Sequence, residues 1–136
     1  MSTILRPPVV LVKAKEAYSL WFQTLADFPK IYRYNLGGKI ENCFSSLLEN
    51  IFITAYLSGD RKAAQLSIAI LKLDNLKFLL QLAWENKCLS NIKYSSLSES
   101  LDEVGRMLGG WRKGLENKTP SPERRRNTTS CGETTR

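Results

Sequence analysis

Apolar residues recur along this chain at helical spacing in four separate runs. The runs lie between Val12 and Pro29, between Arg33 and Ser58, between Arg61 and Asn86, and between Ser96 and Asn117. Each run places large apolar side chains three or four residues apart, which is the period of an amphipathic helix. No run alternates apolar and polar residues for long enough to indicate a strand. The pattern predicts four helices.

Turn and cap residues set the expected helix ends. Pro29 ends the first helix, because a proline ring disfavours helical backbone in the residue before it. Between the second and third helices, Gly59 can take a left-handed conformation and Asp60 can cap the helix that follows. Ser96-Leu97-Ser98-Glu99 fits a capping box, which predicts that the fourth helix begins at Ser96.

Four helices with two short connections and one of about nine residues predict an all-α fold, an up-down-up-down antiparallel four-helix bundle. We divide the chain into an N-terminal extension (residues 1–11), the bundle (residues 12–117) and a C-terminal tail (residues 118–136). The tail contains charged residues, Pro, Ser and Thr but no large apolar residue, which predicts a disordered basic segment. With 136 residues, the chain has room for one such domain.

The third helix is apolar on two sides. One stripe must face the bundle core and consists of Leu66, Ala69, Leu73, Leu76, Leu80 and Ala83. The second stripe consists of Ile68, Leu71, Phe78, Leu79 and Leu82. A small bundle has one core, and leaving the second stripe bare would create a large exposed apolar patch. It is therefore predicted to form a subunit interface, either in a closed homo-oligomer or with a second protein. Alternatively, it is covered by the segment Ile4–Val12 or by aromatic residues of a neighbouring helix.

Charge indicates a polyanionic partner. The chain has 20 Lys and Arg against 13 Asp and Glu, a net charge of +7, and the surplus is shared by the body and the tail. A positive field attracts phosphate backbones with little sequence preference. The candidate nucleic-acid-binding residues are Lys39, Lys72, Lys77, Arg106, Arg112 and Lys113. Each is also compatible with an ordinary solvated surface, and it is their repetition around an oligomer that would make the field strong.

Several kinds of chemistry have no residues to support them. The chain contains no histidine, which excludes His-based acid–base catalysis and most catalytic zinc sites. Its three cysteines have neither metal-ligand nor disulfide-framework spacing. We expect a protein without catalytic activity, metal or cofactor. The four-residue apolar run in the N-terminal segment Met1–Val12 is too short for a signal peptide or a membrane span, so we also expect a cytoplasmic location and no membrane partner.

Several segments resemble one known family in the same order along the chain. The segment Glu103-Val-Gly-Arg-Met-Leu-Gly-Gly-Trp111 is similar to the helix-four signature of the accessory variability determinant (Avd) family of diversity-generating retroelements. Phe28-Pro-Lys30, Leu36-Gly-Gly-Lys-Ile-Glu41 and Leu73-Asp-Asn-Leu-Lys-Phe78 resemble the same family. The resemblance spans about Lys13 to Leu115. Some of it is shared with a sister group, the small bundles encoded within ribosomal RNA intervening sequences.

The resemblance implies a function as well as a fold. It implies a positively charged homopentamer of four-helix bundles that binds RNA and DNA and associates with the retroelement's reverse transcriptase. Such a protein would help to organise the template RNA during mutagenic reverse transcription. By position, Arg106 and Lys77 match basic residues of the family motifs. The alternative is a homo-oligomeric bundle that acts as a protein-assembly module, like the ribosomal RNA intervening-sequence proteins.

Overall fold

A computed structural model describes residues 8–118 of the chain, and the part it describes is helical. The helices are α1 (Val9–Leu25), α2 (Lys30–Arg33), α3 (Leu36–Thr54), α4 (Gly59–Glu85) and α5 (Asn91–Lys118). α2 is a single turn, and the other four helices correspond to the four helices that the sequence predicts. The expected tail beyond residue 118 and the first seven residues of the expected extension lie outside the described residues.

The four long helices pack in a closed square around one core. α3 packs on α4, α4 on α5, α5 on α1, and α1 on α3, so α1 and α4 occupy opposite corners. Large side chains from every long helix meet at the centre and are fully buried, including Trp21, Phe44, Leu47, Leu76 and Leu101. Each such burial stabilises the fold by about 1.5–3 kcal/mol relative to an exposed side chain. The predicted all-α four-helix bundle is confirmed.

The first helix begins at Val9, three residues earlier than the sequence analysis predicts. Val10 and Leu11 are buried in the core, so the first turn has a packing reason to form that its local sequence does not reveal. Pro8 precedes this turn with φ −65°, a conformation that is compatible with a helix start. Part of the expected N-terminal extension therefore belongs to the bundle.

The fourth long helix begins at Asn91, and the capping box predicted at Ser96 is wrong. Ser90 is the residue that caps it, since its Oγ accepts a hydrogen bond from the Lys93 backbone N–H at 3.2 Å. The added turn is also held from outside, because the Tyr94 ring stacks on Trp84 with centroids 4.8 Å apart. The connection expected to span about nine residues is consequently limited to residues 86–90.

Two tight turns position α3 and α4. Gly59 has a φ of +61°, as predicted, but Asp60 lies in the first turn of α4 instead of capping it, and the N-cap is Ser58. At the start of α3, a Cβ on Gly37 would lie 3.4 Å from the Tyr32 carbonyl oxygen, so a glycine permits this close approach. The helix predicted to start at Arg33 is interrupted there, because Asn35 caps α3 through a hydrogen bond from the Leu36 backbone N–H to its Oδ1.

Candidate nucleic-acid interface and subunit contact face

A groove between α4 and α5 contains three of the six predicted cations. We define the α4–α5 groove by Leu73, Lys77, Asp102, Gly105, Arg106 and Arg112, which are among the residues that line it. Its volume is about 450 Å³. Lys77 comes from α4, whereas Arg106 and Arg112 lie six residues apart on α5. The bundle therefore brings together cations that are distant in the sequence.

Gly105 explains why the two helices approach closely at this groove. A Cβ at this position would lie 3.3 Å from Leu73 Cδ2 and 3.8 Å from Lys77 Nζ. Leu73 belongs to the buried core, so it has little room to move away. Gly109 and Gly110, by contrast, neither permit a close helix approach nor end the helix. A Cβ on either would meet nothing within 4 Å, and α5 continues through both to Lys118.

Carboxylates hold two of the groove cations in place. Lys77 Nζ lies 2.9 Å from Asp102 Oδ1, and Arg106 Nη2 lies 3.3 Å from Glu103 Oε1. All four side chains are at least a third exposed, and ion pairs in such positions contribute roughly 0–1 kcal/mol. An arriving phosphate can therefore compete for these cations at little energetic cost.

The other predicted cations lie outside the groove. Lys39 is exposed near the start of α3, and Lys113 is exposed on α5 beside Arg112. Lys72 is half-buried on the α3 side of α4, where its backbone carbonyl oxygen accepts a hydrogen bond from Cys43 Sγ at 3.5 Å. The six predicted residues thus form one cluster of three and three separate positions.

Lys62 is a cation that the predicted site did not include. Its Nζ lies 5.0 Å from the centre of the Trp111 ring, within the range of a cation–π contact. These two residues are nearly fifty positions apart. They come together because α4 and α5 pack antiparallel, which places the start of α4 beside the end of α5. No local sequence signal could have identified this pair.

A larger cavity of about 670 Å³ lies at the turn between α4 and α5. Trp84, Cys88 and Lys93 line it, together with Asp27, whose carboxylate forms an ion pair with Lys93. Its lining residues include none of the predicted site residues, and its two lysines are balanced by two carboxylates. The α4–α5 groove, in contrast, has three cations against two carboxylates, Asp74 and Asp102. We therefore favour the smaller α4–α5 groove as the candidate interface for nucleic acid.

The second stripe of α4 is largely uncovered by the described part of the chain. Leu71 is 68% exposed and Phe78 is 59% exposed, and Ile68 is also exposed. Leu79 and Leu82 are half-buried, and Leu79 packs against the core. By contrast, all six residues of the first stripe are buried, as predicted. Within residues 8–118, neighbouring helices do not enclose the second stripe.

Glu41, the last residue of the Leu36–Glu41 segment, joins α3 to α1. Its carboxylate accepts hydrogen bonds from the Tyr18 hydroxyl and from Trp21 Nε1, the latter at 2.9 Å. The hydrogen bond to Glu41, helped by burial, raises the pKa of Tyr18 to about 12. Trp21 is fully buried, so Glu41 satisfies an indole N–H that would otherwise lack a partner in the core. Glu41 therefore has a structural role.

The described residues contain no cluster of three or more His, Cys, Asp or Glu side chains that could hold a metal ion. Burial raises the pKa of both the Cys43 and the Cys88 thiols, which keeps them in the less reactive protonated form. Among the helices in residues 8–118, none combines the length and the apolarity that a bilayer crossing requires.

Comparison with known proteins identifies one family. A family model described as bAvd-like matches residues 9–115 of the 136-residue chain. The match covers all four long helices, apart from the last residues of α5, and includes the whole α4–α5 groove. No curated protein matches the chain.

Proposed function

The chain belongs to the bAvd-like family of accessory proteins, and on this premise we propose that it is a non-enzymatic accessory subunit of a diversity-generating retroelement. In this proposal it acts in the cytoplasm, where it binds the reverse transcriptase and the template RNA, and DNA as a further ligand. The observation that carries the proposal is the family match over residues 9–115, which includes two cations, Lys77 and Arg106, in one groove.

The α4–α5 groove suits a phosphate backbone better than a base edge. Lys77, Arg106 and Arg112 supply donors without a flat aromatic surface or a deep pocket between them. Such contacts neutralise phosphates and release counterions, so they bind with little sequence preference and weaken as salt rises. A template that must be held along its length, whatever its sequence, requires this kind of contact.

Assembly would repeat the groove cations in every subunit and so strengthen the positive field. We propose that the second stripe, formed by Ile68, Leu71, Phe78, Leu79 and Leu82, is the subunit interface of a homo-oligomer. The exposure of Leu71 and Phe78 supports this, because a monomer gains nothing from presenting them to water. The family resemblance suggests five subunits. Each subunit would contribute a copy of the groove to the assembly.

The nucleic-acid proposal is tested with a matched pair of triple variants. In one, Lys77, Arg106 and Arg112 are replaced by glutamine. In the control, the exposed cations Lys15, Lys30 and Arg61, which do not line the groove, are replaced in the same way. Both variants lose three positive charges, so they differ in where the charge is removed. Gel shifts with a structured RNA are measured at salt concentrations from about 50 to about 200 mM, because binding through phosphate contacts loses much of its affinity over this range.

We expect the groove variant to lose at least about tenfold in affinity and to show a shallower salt dependence than the control, because fewer counterions are released. Circular dichroism is used to check that both variants are folded. Equal losses in the two variants would mean that overall charge, and not the groove, binds RNA. If the unaltered protein does not shift RNA even at 50 mM salt, the nucleic-acid proposal fails.

Association with a reverse transcriptase is tested separately. We expect the gene to lie beside a reverse-transcriptase gene and a pair of imperfect repeats. The encoded polymerase, copying its own template RNA, should give more cDNA when this protein is added. A polymerase that neither co-purifies with the protein nor responds to it would refute the accessory role.

The exposed second stripe also favours a second candidate function, that of a protein-assembly module without a nucleic-acid ligand. This is the function suggested by the likeness to ribosomal RNA intervening-sequence proteins. A protein that forms a defined oligomer in sedimentation experiments, yet does not bind RNA at low salt, would support this alternative.

A further inference from the structure

The cavity at the turn between α4 and α5 has the size of a small-molecule site. Its volume of about 670 Å³ falls within the range of pockets that hold small organic ligands. Among the described residues, none lines both this cavity and the α4–α5 groove, so the function proposed above does not use it. We define this turn cavity by Asp27, Trp84, Glu85, Lys87, Leu89 and Lys93, which are among the residues that line it.

The inner wall of the turn cavity is apolar and firmly held. Leu89 is 5% exposed and Cys88 is also buried, so both belong to the bundle core. Trp84 is partly exposed, and its ring stacks on the Tyr94 ring with centroids 4.8 Å apart. The Trp84 Nε1 group donates a hydrogen bond to Asn91 Oδ1 at 2.7 Å, which fixes the indole in the plane of that contact. A ring held in this way offers apolar surface to a ligand at little entropic cost.

The charged side chains of the turn cavity are only partly paired. Within residues 8–118, Asp27 and Lys93 form an ion pair, whereas neither Glu85 nor Lys87 belongs to one. The Glu85 carboxylate accepts one hydrogen bond, from Gln81 Nε2 at 3.1 Å, and a carboxylate can accept several. One negative and one positive group at the same cavity are therefore available to a ligand.

Lys87 occupies a backbone position that glycine would take at lower energy. It follows the C-cap of α4 with a φ of 64°, and its N–H donates to the Trp84 carbonyl oxygen at 3.0 Å. The next N–H, of Cys88, donates to the Ala83 carbonyl oxygen at 2.8 Å. This is the Schellman arrangement, in which glycine is preferred because a Cβ is disfavoured in the left-handed region. Strained positions of this kind cluster at ligand sites, which favours a use for the lysine side chain.

The balance of charge favours one class of ligand. The cavity is lined by two lysines and two carboxylates, so a simple anion meets the carboxylates and a simple cation meets the ammonium groups. A molecule that carries both charges can place each one beside its opposite. An α-amino acid has a carboxylate, an ammonium group and a side chain on one carbon atom, and these three groups match the three features of the cavity.

We infer that the turn cavity binds a free α-amino acid with an aromatic or large aliphatic side chain. The ligand carboxylate binds the Lys87 ammonium, the ligand ammonium binds the Glu85 carboxylate, and the side chain packs against Trp84 and Leu89. The ion pair between Asp27 and Lys93 is retained, and it joins the end of α1 to the start of α5 beside the ligand.

Four related probes test which groups the site recognises. L-Phenylalanine has all three groups, hydrocinnamate lacks the ammonium, phenethylamine lacks the carboxylate, and glycine lacks the side chain. Binding to the full chain is followed by NMR through the indole N–H signals of its three tryptophans, and the Trp84 signal is assigned by its loss in Trp84→Phe. Trp21 in the core and Trp111 near the far end of α5 serve as internal controls.

We expect L-phenylalanine to shift the Trp84 signal, with a dissociation constant of about 1 mM or tighter, and to leave the other two signals unchanged. Each of the three incomplete probes should bind at least about threefold more weakly, because it lacks one contact with the cavity.

Matched variants assign the two charges. Lys87→Gln should remove the advantage of L-phenylalanine over phenethylamine, and Glu85→Gln should remove its advantage over hydrocinnamate. Each variant deletes the partner of the group that the weaker probe lacks. Both residues are exposed, so the fold does not depend on them. The controls Lys15→Gln and Glu99→Gln, exposed and outside the cavity, should leave all four affinities unchanged.

The outcomes are distinct from those for the proposed function. No shift of the Trp84 signal at about 10 mM L-phenylalanine, or equal shifts of all three indoles, overturns the site. Binding of hydrocinnamate or phenethylamine as tight as that of L-phenylalanine overturns the recognition of a zwitterion. A protein that binds the amino acid and does not shift RNA supports this inference and refutes the nucleic-acid proposal, because the two sites share no described residue.

Discussion

A pair of glycine substitutions on α5 measures how tightly α4 and α5 approach each other. Gly105→Ala and Gly110→Ala make the same chemical change in the same helix. Gly110 is exposed, and an added Cβ there would meet nothing within 4 Å. At Gly105, the added Cβ would lie 3.3 Å from Leu73 Cδ2. The two substitutions therefore differ in the contacts of the added Cβ, of which the one to Leu73 is the tightest.

The expected magnitudes follow from helix propensity and packing. Replacing glycine by alanine inside a helix raises the free energy of unfolding by about 1 kcal/mol, and Gly110→Ala should gain this in full. At Gly105 the same gain is opposed by a contact that requires Leu73 to move. Because Leu73 is buried, this overpacking should cost about 1 kcal/mol or more. Gly105→Ala should therefore be neutral or destabilising.

The assay is urea unfolding followed by circular dichroism at one fixed protein concentration, since an oligomer's stability depends on concentration. A second background, Leu73→Ala, removes the opposing methyl group. There, Gly105→Ala should recover the full gain of about 1 kcal/mol. If Gly105→Ala and Gly110→Ala stabilise the unaltered chain equally, α4 does not approach Gly105 closely, and the role given to Gly105 in the α4–α5 groove is refuted.

Three further predictions concern the bundle itself. The pKa of Tyr18 is raised above the value of an unfolded tyrosine, 10.0, so its contribution to stability is intact below pH 10 and is lost as pH rises toward about 12. Absorbance at 295 nm should show a late-titrating tyrosine that is missing in Tyr18→Phe. If this late titration persists in Glu41→Gln, the hydrogen bond to Glu41 is not its cause. Lys87 has a φ of 64° just after α4, so Lys87→Gly should raise the free energy of unfolding by about 0.5–1 kcal/mol, and a loss in urea unfolding would show that the lysine side chain matters more than the backbone. Leu47→Ala should cost about 2–5 kcal/mol because Leu47 is fully buried, whereas a cost under about 1 kcal/mol would mean that the core readily collapses around the gap.

Much of the fold follows from the sequence because helical period is a local property. The spacing of Leu66, Leu73 and Leu80 on one side of α4, and of Leu71 and Phe78 on the other, distinguishes the core stripe from the second stripe without any structure. The absence of histidine likewise excludes whole classes of chemistry from composition alone. These conclusions need no knowledge of which helices are neighbours.

Helix ends and the candidate groove depend on contacts between residues far apart in the sequence. The segment Ser96–Glu99 has a good local cap, yet α5 begins at Asn91, where Ser90 caps it and Tyr94 stacks on Trp84 across the turn. Local preference of about 1 kcal/mol is outweighed when tertiary packing adds a turn. In the same way, Lys77 and Arg106 line one groove because α4 and α5 are antiparallel neighbours. The sequence determined which faces are apolar and where charge is available, and the packing of the four helices decided which of those charges share a site.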